Sequence, residues 1–100
     1  MQIAALYRWL LDFEPSPVVE MNASVALAMS GDLSGGLKWL NALERRKSLD
    51  RSHLFFAVKG LLLARGGFVS QARRSLMRAR RLAKNQREQR YLSRRLAELG

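Results

Sequence analysis

The chain has 100 residues, with 18 Lys or Arg against 8 Asp or Glu, a net charge of +10, and no cysteine. That length suits one domain with its own core, and a hydrophobic content of 48% argues against wholesale disorder. Without cysteine and with one histidine, the sequence predicts a small basic binding protein rather than an enzyme, with no catalytic, cofactor-binding or metal-ligating residues.

Apolar residues recur at spacings of three and four along the chain, and threonine is absent, so the sequence predicts helices only. In chain order the predicted helices cover residues 2–13, 17–30, 33–46, 51–65, 69–83 and 86–99. Each boundary carries a start or stop signal. The signals are Pro15, Ser16 with Pro17, Gly31, Asp50 as a cap, Gly66 with Gly67, and Asn85 with Glu88 as a capping box.

A longer period appears when the sequence is shifted against itself by 36 residues. Small residues then align, Ser24 with Gly60 and Gly36 with Ala72. The identical pairs are Leu27 with Leu63, Ala28 with Ala64, Gly31 with Gly67, Ser34 with Ser70, Leu40 with Leu76, and Arg45 with Arg81. Each copy is a helix, a glycine turn and a helix, close to the tetratricopeptide period of about 34 residues.

The predicted fold is therefore all-α, with about six helices in a short tetratricopeptide-like α-solenoid that forms a single domain over residues 1–100. Two helix-turn-helix repeats, about 17–50 and 53–86, are flanked by the helix at 2–13 and a capping helix at about 86–99. We expect Gly60 and Ala72 to let the helices of the second repeat approach closely, with Gly67 in the turn between them.

A family resemblance covers nearly the whole chain. The stretches ALYRWLLDFEPSPVVEMN, VALAMSGDLSGGLKWLNAL and HLFFAVKGLLLARGGFVSQARRSLMRARRLAKNQREQRYLSRRLAEL resemble the C-terminal tetratricopeptide-like region of bacterial extracytoplasmic-function sigma factors. The landmarks are the PSPVV segment at 15–19, Asn22, Gly31, His53, and Arg90-Tyr91-Leu92 followed by Arg94-Arg95-Leu96. The chain departs from the family pattern at Ala23-Ser24 and at Gly66-Gly67-Phe68.

The resemblance implies an accessory module in transcription initiation. In such sigma factors promoter recognition and core-polymerase binding reside in upstream helical domains, which this sequence does not contain. The implied partner is a protein: the remainder of a sigma factor, RNA polymerase or a regulator. A fragment, a truncated gene product and a free-standing protein all fit the resemblance.

One candidate site is an apolar groove. In tetratricopeptide repeats the first helix of each pair lines the concave side, which here predicts a partner groove of residues from both copies. Its residues are Val18, Met21, Val25, Ala28, Met29, Leu54, Ala57, Leu61, Ala64 and Arg65. Either a partner domain, a partner helix or a second copy of the chain occupies it, or a flanking helix covers it as ordinary core.

The other candidate site is a basic face. Residues 1–44 carry a net charge of −3 and residues 45–100 a net charge of +13. The face comprises Arg73, Arg74, Arg78, Arg81, Lys84, Arg87, Arg90 and Arg94. Three interpretations of this face stay open: a solvated or internally paired surface, a site for an acidic protein, or a site for nucleic acid. The last of these gives the alternative function, a stand-alone basic nucleic-acid-binding protein. Few aromatic residues interleave with it, so protein docking is favoured.

The same sequence predicts a cytoplasmic protein without a membrane partner. Arg8 interrupts the N-terminal apolar stretch, which is not the pattern of a secretory signal. The most apolar run, residues 54–64, is interrupted by Lys59 and is too short to span a bilayer. His53 is expected to start a helix rather than bind a metal, and Phe55 and Phe56 are expected in the core.

Overall fold

The computed structural model describes residues 16–99. Within this range the regular elements are five helices and no strand. They are α1 Pro17–Met29, α2 Leu33–Arg45, α3 His53–Arg65, α4 Val69–Leu82 and α5 Gln86–Glu98. The prediction of an all-helical protein is confirmed for these residues, while the helix predicted at residues 2–13 lies outside them.

One predicted helix start and one predicted capping hydrogen bond need correction. α3 begins at His53, not at residue 51, because the cap is Ser52, whose Oγ accepts a hydrogen bond from the Phe55 N–H at 3.1 Å. Asp50, the predicted cap, lies two residues before that position. Ser16 does stand at the N-cap of α1, yet its hydroxyl makes no capping hydrogen bond.

The predicted capping box at α5 forms in one direction only. The Asn85 Oδ1 accepts from the Glu88 N–H at 2.9 Å, as expected for a cap. The Glu88 carboxylate does not return to Asn85: its Oε2 accepts from the Lys84 N–H at 3.1 Å. The two hydrogen bonds therefore tie Lys84 and Asn85, which precede the helix, to its first turn.

The chain divides into two compact units, Met1–Asp50 and Arg51–Gly100. In the described part of the first unit, α1 packs against α2. Its core consists of Met21, Ala23, Ala28, Leu37, Leu40 and Leu43. In the second unit α3 packs against α4, and α4 also packs against α5. The core of this unit consists of Phe55, Phe56, Leu62, Leu63, Ala72, Leu76, Ala79, Ala83 and Leu92.

The two helix pairs have the same local construction, displaced by 36 residues. α1 and α3 each have 13 residues and begin at residues 17 and 53, and α2 and α4 begin at residues 33 and 69. Gly31 and Gly67 have φ values of 115° and 84°, a conformation that favours glycine. Their N–H groups donate to the carbonyls of Ala28 and Ala64 at 3.2 and 3.0 Å. Both turns thus close α1 and α3 with the same hydrogen bond.

Small residues bring the helices of each pair into close approach. In the first unit, a Cβ placed on Gly36 would lie 2.6 Å from the Ser24 carbonyl oxygen and 2.8 Å from the Cβ of Ala28. In the second unit, a Cβ on Gly60 would lie 2.6 Å from the Cγ of Leu76. The predicted close approach at Gly60 is present, and the side chain that fills the space over this glycine is Leu76.

Candidate interaction surfaces

α1 is apolar on the side that faces away from α2 as well as on its packed side. Val18 and Met29 are 50% and 56% exposed, and Val25 between them is half-buried. These residues follow a spacing of seven and four, so they lie on one side of the helix. Among residues 16–99 the helix that packs on α1 is α2, and this contact needs one apolar side of α1. The second stripe is therefore not used by the packing of α1 on α2.

Not every residue of the predicted groove belongs to that exposed stripe. Met21 and Ala28 are buried, and they lie with Ser24 on the side of α1 that packs inside the first unit. Ser24 is buried as well, and its hydroxyl has a partner because it donates to the Glu20 carbonyl at 2.9 Å within the helix. The described first unit thus splits the predicted groove residues of α1 between an exposed side and a buried side.

α3 carries an equivalent stripe at positions displaced by 36 residues. Leu54 is 52% exposed, Leu61 is half-buried and Arg65 is exposed. In this order they are equivalent to Val18, Val25 and Met29 of α1. The predicted groove residues Ala57 and Ala64 are half-buried beside them. Phe55, Phe56, Leu62 and Leu63 are buried on the other side of the helix. α3 is therefore apolar on both sides, as α1 is.

The predicted basic residues of α4 do not share one environment. Arg74, Arg78 and Arg81 are exposed, and Arg73 is half-buried. The guanidinium carbon of Arg78 lies 4.3 Å from the centroid of the Phe56 ring, a cation–π contact to α3. Lys84, just after α4, is exposed. Arg78 thus stabilises the helix pair while its charge still reaches solvent.

The predicted basic residues of α5 lie together on its outer side. Arg87, Arg90 and Arg94 are exposed and spaced by three and four residues. Leu92, which is buried, marks the opposite side that packs inside the unit. The three guanidinium groups therefore form a continuous charged edge along the helix.

The second unit concentrates the charge of the protein. Residues 51–100 contain 13 Lys or Arg and two Asp or Glu, a net charge of +11, whereas residues 1–50 have a net charge of −1. Both carboxylates of the second unit already have cationic or N–H partners. Glu98 pairs with Arg95 at 3.0 Å, and Glu88 contacts His53 at 3.3 Å and the Lys84 N–H at 3.1 Å.

The contact between His53 and Glu88 also shows how α5 is placed. The His53 Nε2 lies 3.3 Å from the Glu88 Oε1, so the first turns of α3 and α5 are neighbours. On α4, the Arg80 guanidinium donates to the Ser93 hydroxyl of α5 at 3.3 Å. Together these contacts hold α5 against α4 with its start beside α3.

Glu20 was not singled out by the sequence, yet it joins the two helices of the first unit. Its carboxylate accepts a hydrogen bond from the Trp39 indole N–H at 3.2 Å and forms an ion pair with Arg46. These partners lie 19 and 26 residues along the chain, beyond the reach of any local pattern. The one available signal is that an acidic residue stands where the second repeat has the aromatic Phe56.

The described residues contain neither a metal-binding cluster nor a helix that could cross a membrane. Among residues 16–99, no cluster of three or more His, Cys, Asp or Glu could hold a metal ion. None of the five helices combines the length and hydropathy that a membrane crossing requires. Comparison with models of protein families, with characterised proteins and with solved structures finds no match for this chain.

Proposed function

We propose that this chain is a protein-docking module without chemistry of its own, built as a short tetratricopeptide-like α-solenoid. The observation that carries the proposal is the exposed apolar stripe on the first helix of each pair. It comprises Val18, Val25 and Met29 on α1, and Leu54 and Leu61 on α3. An apolar surface that recurs at equivalent positions of a repeat is typical of a surface that binds another protein.

The solenoid architecture is supported by the repeated construction of the two pairs. The helices begin at equivalent positions 36 residues apart, and Gly31 and Gly67 close equivalent turns. α5, which begins at Gln86, takes the position of the capping helix. In solenoids of this kind the first helices line the binding side, and the apolar stripes lie on α1 and α3, the first helix of each pair.

The resemblance to extracytoplasmic-function sigma factors sets the biological role that we propose. The module acts in the bacterial cytoplasm during transcription initiation, by docking to the remainder of a sigma factor, to RNA polymerase or to a regulator. The landmarks of the resemblance have structural roles that suit such a scaffold. Gly31 makes a turn, His53 begins α3 and Leu92 is buried in the second unit.

A binding assay tests this role. Immobilised chain is exposed to purified bacterial RNA polymerase, as core enzyme and with its sigma factors, and the retained protein is measured. We expect retention, and we expect Leu54→Gln to weaken it while Met77→Gln, an exposed apolar residue on α4, leaves it unchanged. If neither polymerase nor a sigma factor is retained, the proposed role in transcription is wrong.

Nucleic-acid binding is the second candidate, and the exposed Arg87, Arg90 and Arg94 edge of α5 favours it. Binding to duplex DNA is measured at about 50 and 200 mM salt, because contacts to phosphates weaken steeply as counterions are restored. The control is a triple variant that carries Arg87→Gln, Arg90→Gln and Arg94→Gln together. The candidate is supported if the parent chain binds DNA strongly at low salt and the triple variant does not. Absence of salt-sensitive binding rules it out.

A further inference from the structure

One side of α3 is apolar and partly exposed, in a unit whose net charge is +11. On α3, Leu54, Val58 and Leu61 lie on successive turns of one side, at spacings of four and three residues. Leu54 is 52% exposed, and Val58 and Leu61 are half-buried. Arg65 continues this side of the helix at its C-terminal end and is exposed.

α5 carries an exposed aromatic side chain on the side that faces the start of α3. Because Glu88 contacts His53, the side of α5 that carries Glu88 faces the start of α3. Tyr91 and Arg95 follow Glu88 by three and seven residues, so they lie on this same side. Tyr91 is 46% exposed. We call the set of Leu54, Val58, Leu61, Arg65 and Tyr91 the α3–α5 surface.

The charge of the unit determines which partner this surface fits. The unit has a net charge of +11, and its carboxylates Glu88 and Glu98 are already bonded within it. A second copy that docked through the same surface would place another +11 unit against it, and like charges across an interface are unfavourable. A complementary partner must therefore supply both apolar side chains and carboxylates.

We propose that the α3–α5 surface binds an amphipathic helix with an acidic flank, supplied by a partner protein. The proposal rests on the docking function proposed above and names the chemistry of its partner. Leu54 and Leu61 lie about 10 Å apart along α3, which matches two turns of a partner helix. Apolar residues at positions i, i+3, i+4 and i+7 of that helix would pack on the stripe and Tyr91. Acidic residues beside them would face Arg65 and the other cations of the unit.

Three helical peptides of about 18 residues, long enough for five turns, provide the probes. The first has leucines at i, i+3, i+4 and i+7 and glutamates on its flanks, the second replaces the glutamates with lysines, and the third scrambles the first. Binding to the full chain is followed by fluorescence anisotropy. We expect the acidic amphipathic peptide to bind at least about tenfold more tightly than either of the others.

Two matched variants locate the site on the chain. Leu54→Gln is expected to weaken binding of the acidic amphipathic peptide about tenfold, because it removes the most exposed apolar contact of the stripe, at its N-terminal end. Met77→Gln changes an exposed apolar residue of α4 and is expected to alter the affinity less than about twofold. Neither substitution changes the charge, and both sites are exposed enough for the fold to be kept, which circular dichroism checks.

Several outcomes would overturn the proposal. If the scrambled peptide binds as tightly as the amphipathic one, the interaction is non-specific attraction to the basic unit. If only duplex DNA of about 20 base pairs binds, with the steep salt dependence of phosphate contacts, the unit is a nucleic-acid site. If the chain retains polymerase or a sigma factor but no peptide, the docking function stands and this surface assignment is wrong. If the acidic peptide binds but no transcription protein does, the surface stands and the role in transcription fails.

Discussion

Gly36→Ala tests whether the close approach of α1 and α2 limits the stability of the first unit. A new Cβ would lie 2.6 Å from the Ser24 carbonyl oxygen and 2.8 Å from the Cβ of Ala28. Ordinary C···O and C···C contacts are about 3.3 Å or longer, so the helices would have to separate by about 0.7 Å. Both obstacles belong to the backbone or its first side-chain atom, so neither can rotate away.

Two opposing contributions decide the sign of the change. Alanine is favoured over glycine inside a helix by about 1 kcal/mol. Overpacking a core costs about 1–3 kcal/mol, and an obstacle on the backbone places Gly36→Ala at the upper end of that range. We expect the free energy of unfolding to fall by about 2 kcal/mol.

Gly35→Ala is the matched control, since it makes the same change one residue earlier in α2. The atoms nearest to its new Cβ belong to the Asp32 carboxylate, the mobile end of a side chain. Turning that carboxylate away gives up its hydrogen bond from the Gly35 N–H, which costs about 1 kcal/mol and offsets the gain in helix propensity. We therefore expect almost no change in stability for this variant.

Urea unfolding provides the measurement, followed by far-ultraviolet circular dichroism and by tryptophan fluorescence. A Trp9→Phe background leaves Trp39 as the single tryptophan, and its indole N–H bond to Glu20 spans α1 and α2. The fluorescence therefore reports the separation of these helices directly. If Gly36→Ala is as stable as the parent, or if both glycine variants behave alike, the close approach does not limit stability.

Three further predictions concern the helix ends and one aromatic contact. Asn85→Ala should lower the free energy of unfolding by about 1 kcal/mol because it removes a formed cap, whereas Ser16→Ala, whose hydroxyl caps nothing, should change it little. Arg78→Ala should cost about 0.5–1 kcal/mol through the lost cation–π contact, with Arg74→Ala as the exposed control. Lys47 has a φ of 61°, in the left-handed region that favours glycine. Lys47→Gly should raise the free energy of unfolding by about 0.5 kcal/mol, because the relief of backbone strain exceeds the extra entropy that glycine gains on unfolding. Urea unfolding measures all five variants, and a reversed order within either pair, or a destabilised glycine variant, contradicts the reasoning.

Helix content and turns were predictable because they depend on neighbours in the sequence. Spacings of three and four identify a helix, and Gly31 and Gly67 mark residues with positive φ. The start of α3 was predicted two residues early, because Asp50 and Ser52 are both good capping residues and only the backbone selects between them.

The candidate surfaces were predictable only in part. Analogy with tetratricopeptide repeats selects apolar residues of the first helices, but it does not set the helical phase, so Met21 and Ala28 were grouped with the exposed Val18. The contact of His53 with Glu88 joins residues 35 positions apart and has no local signal. Long-range polar contacts of this kind can be identified only from the tertiary structure. By side-chain chemistry alone, any cation of the chain could pair with any of its carboxylates.

The charge difference between the two units also governs how concentrated preparations of this protein will behave. At low ionic strength the +11 charge of the second unit repels other copies while the apolar side of α3 stays uncovered. The Debye length shortens from about 10 Å at 0.1 M salt to about 3 Å at 1 M, so the repulsion fades before the apolar attraction does. Added salt should therefore promote association of the protein, the reverse of its effect on a complex held by opposite charges. Electrostatic repulsion between second units thus opposes self-association through the exposed stripe at low salt.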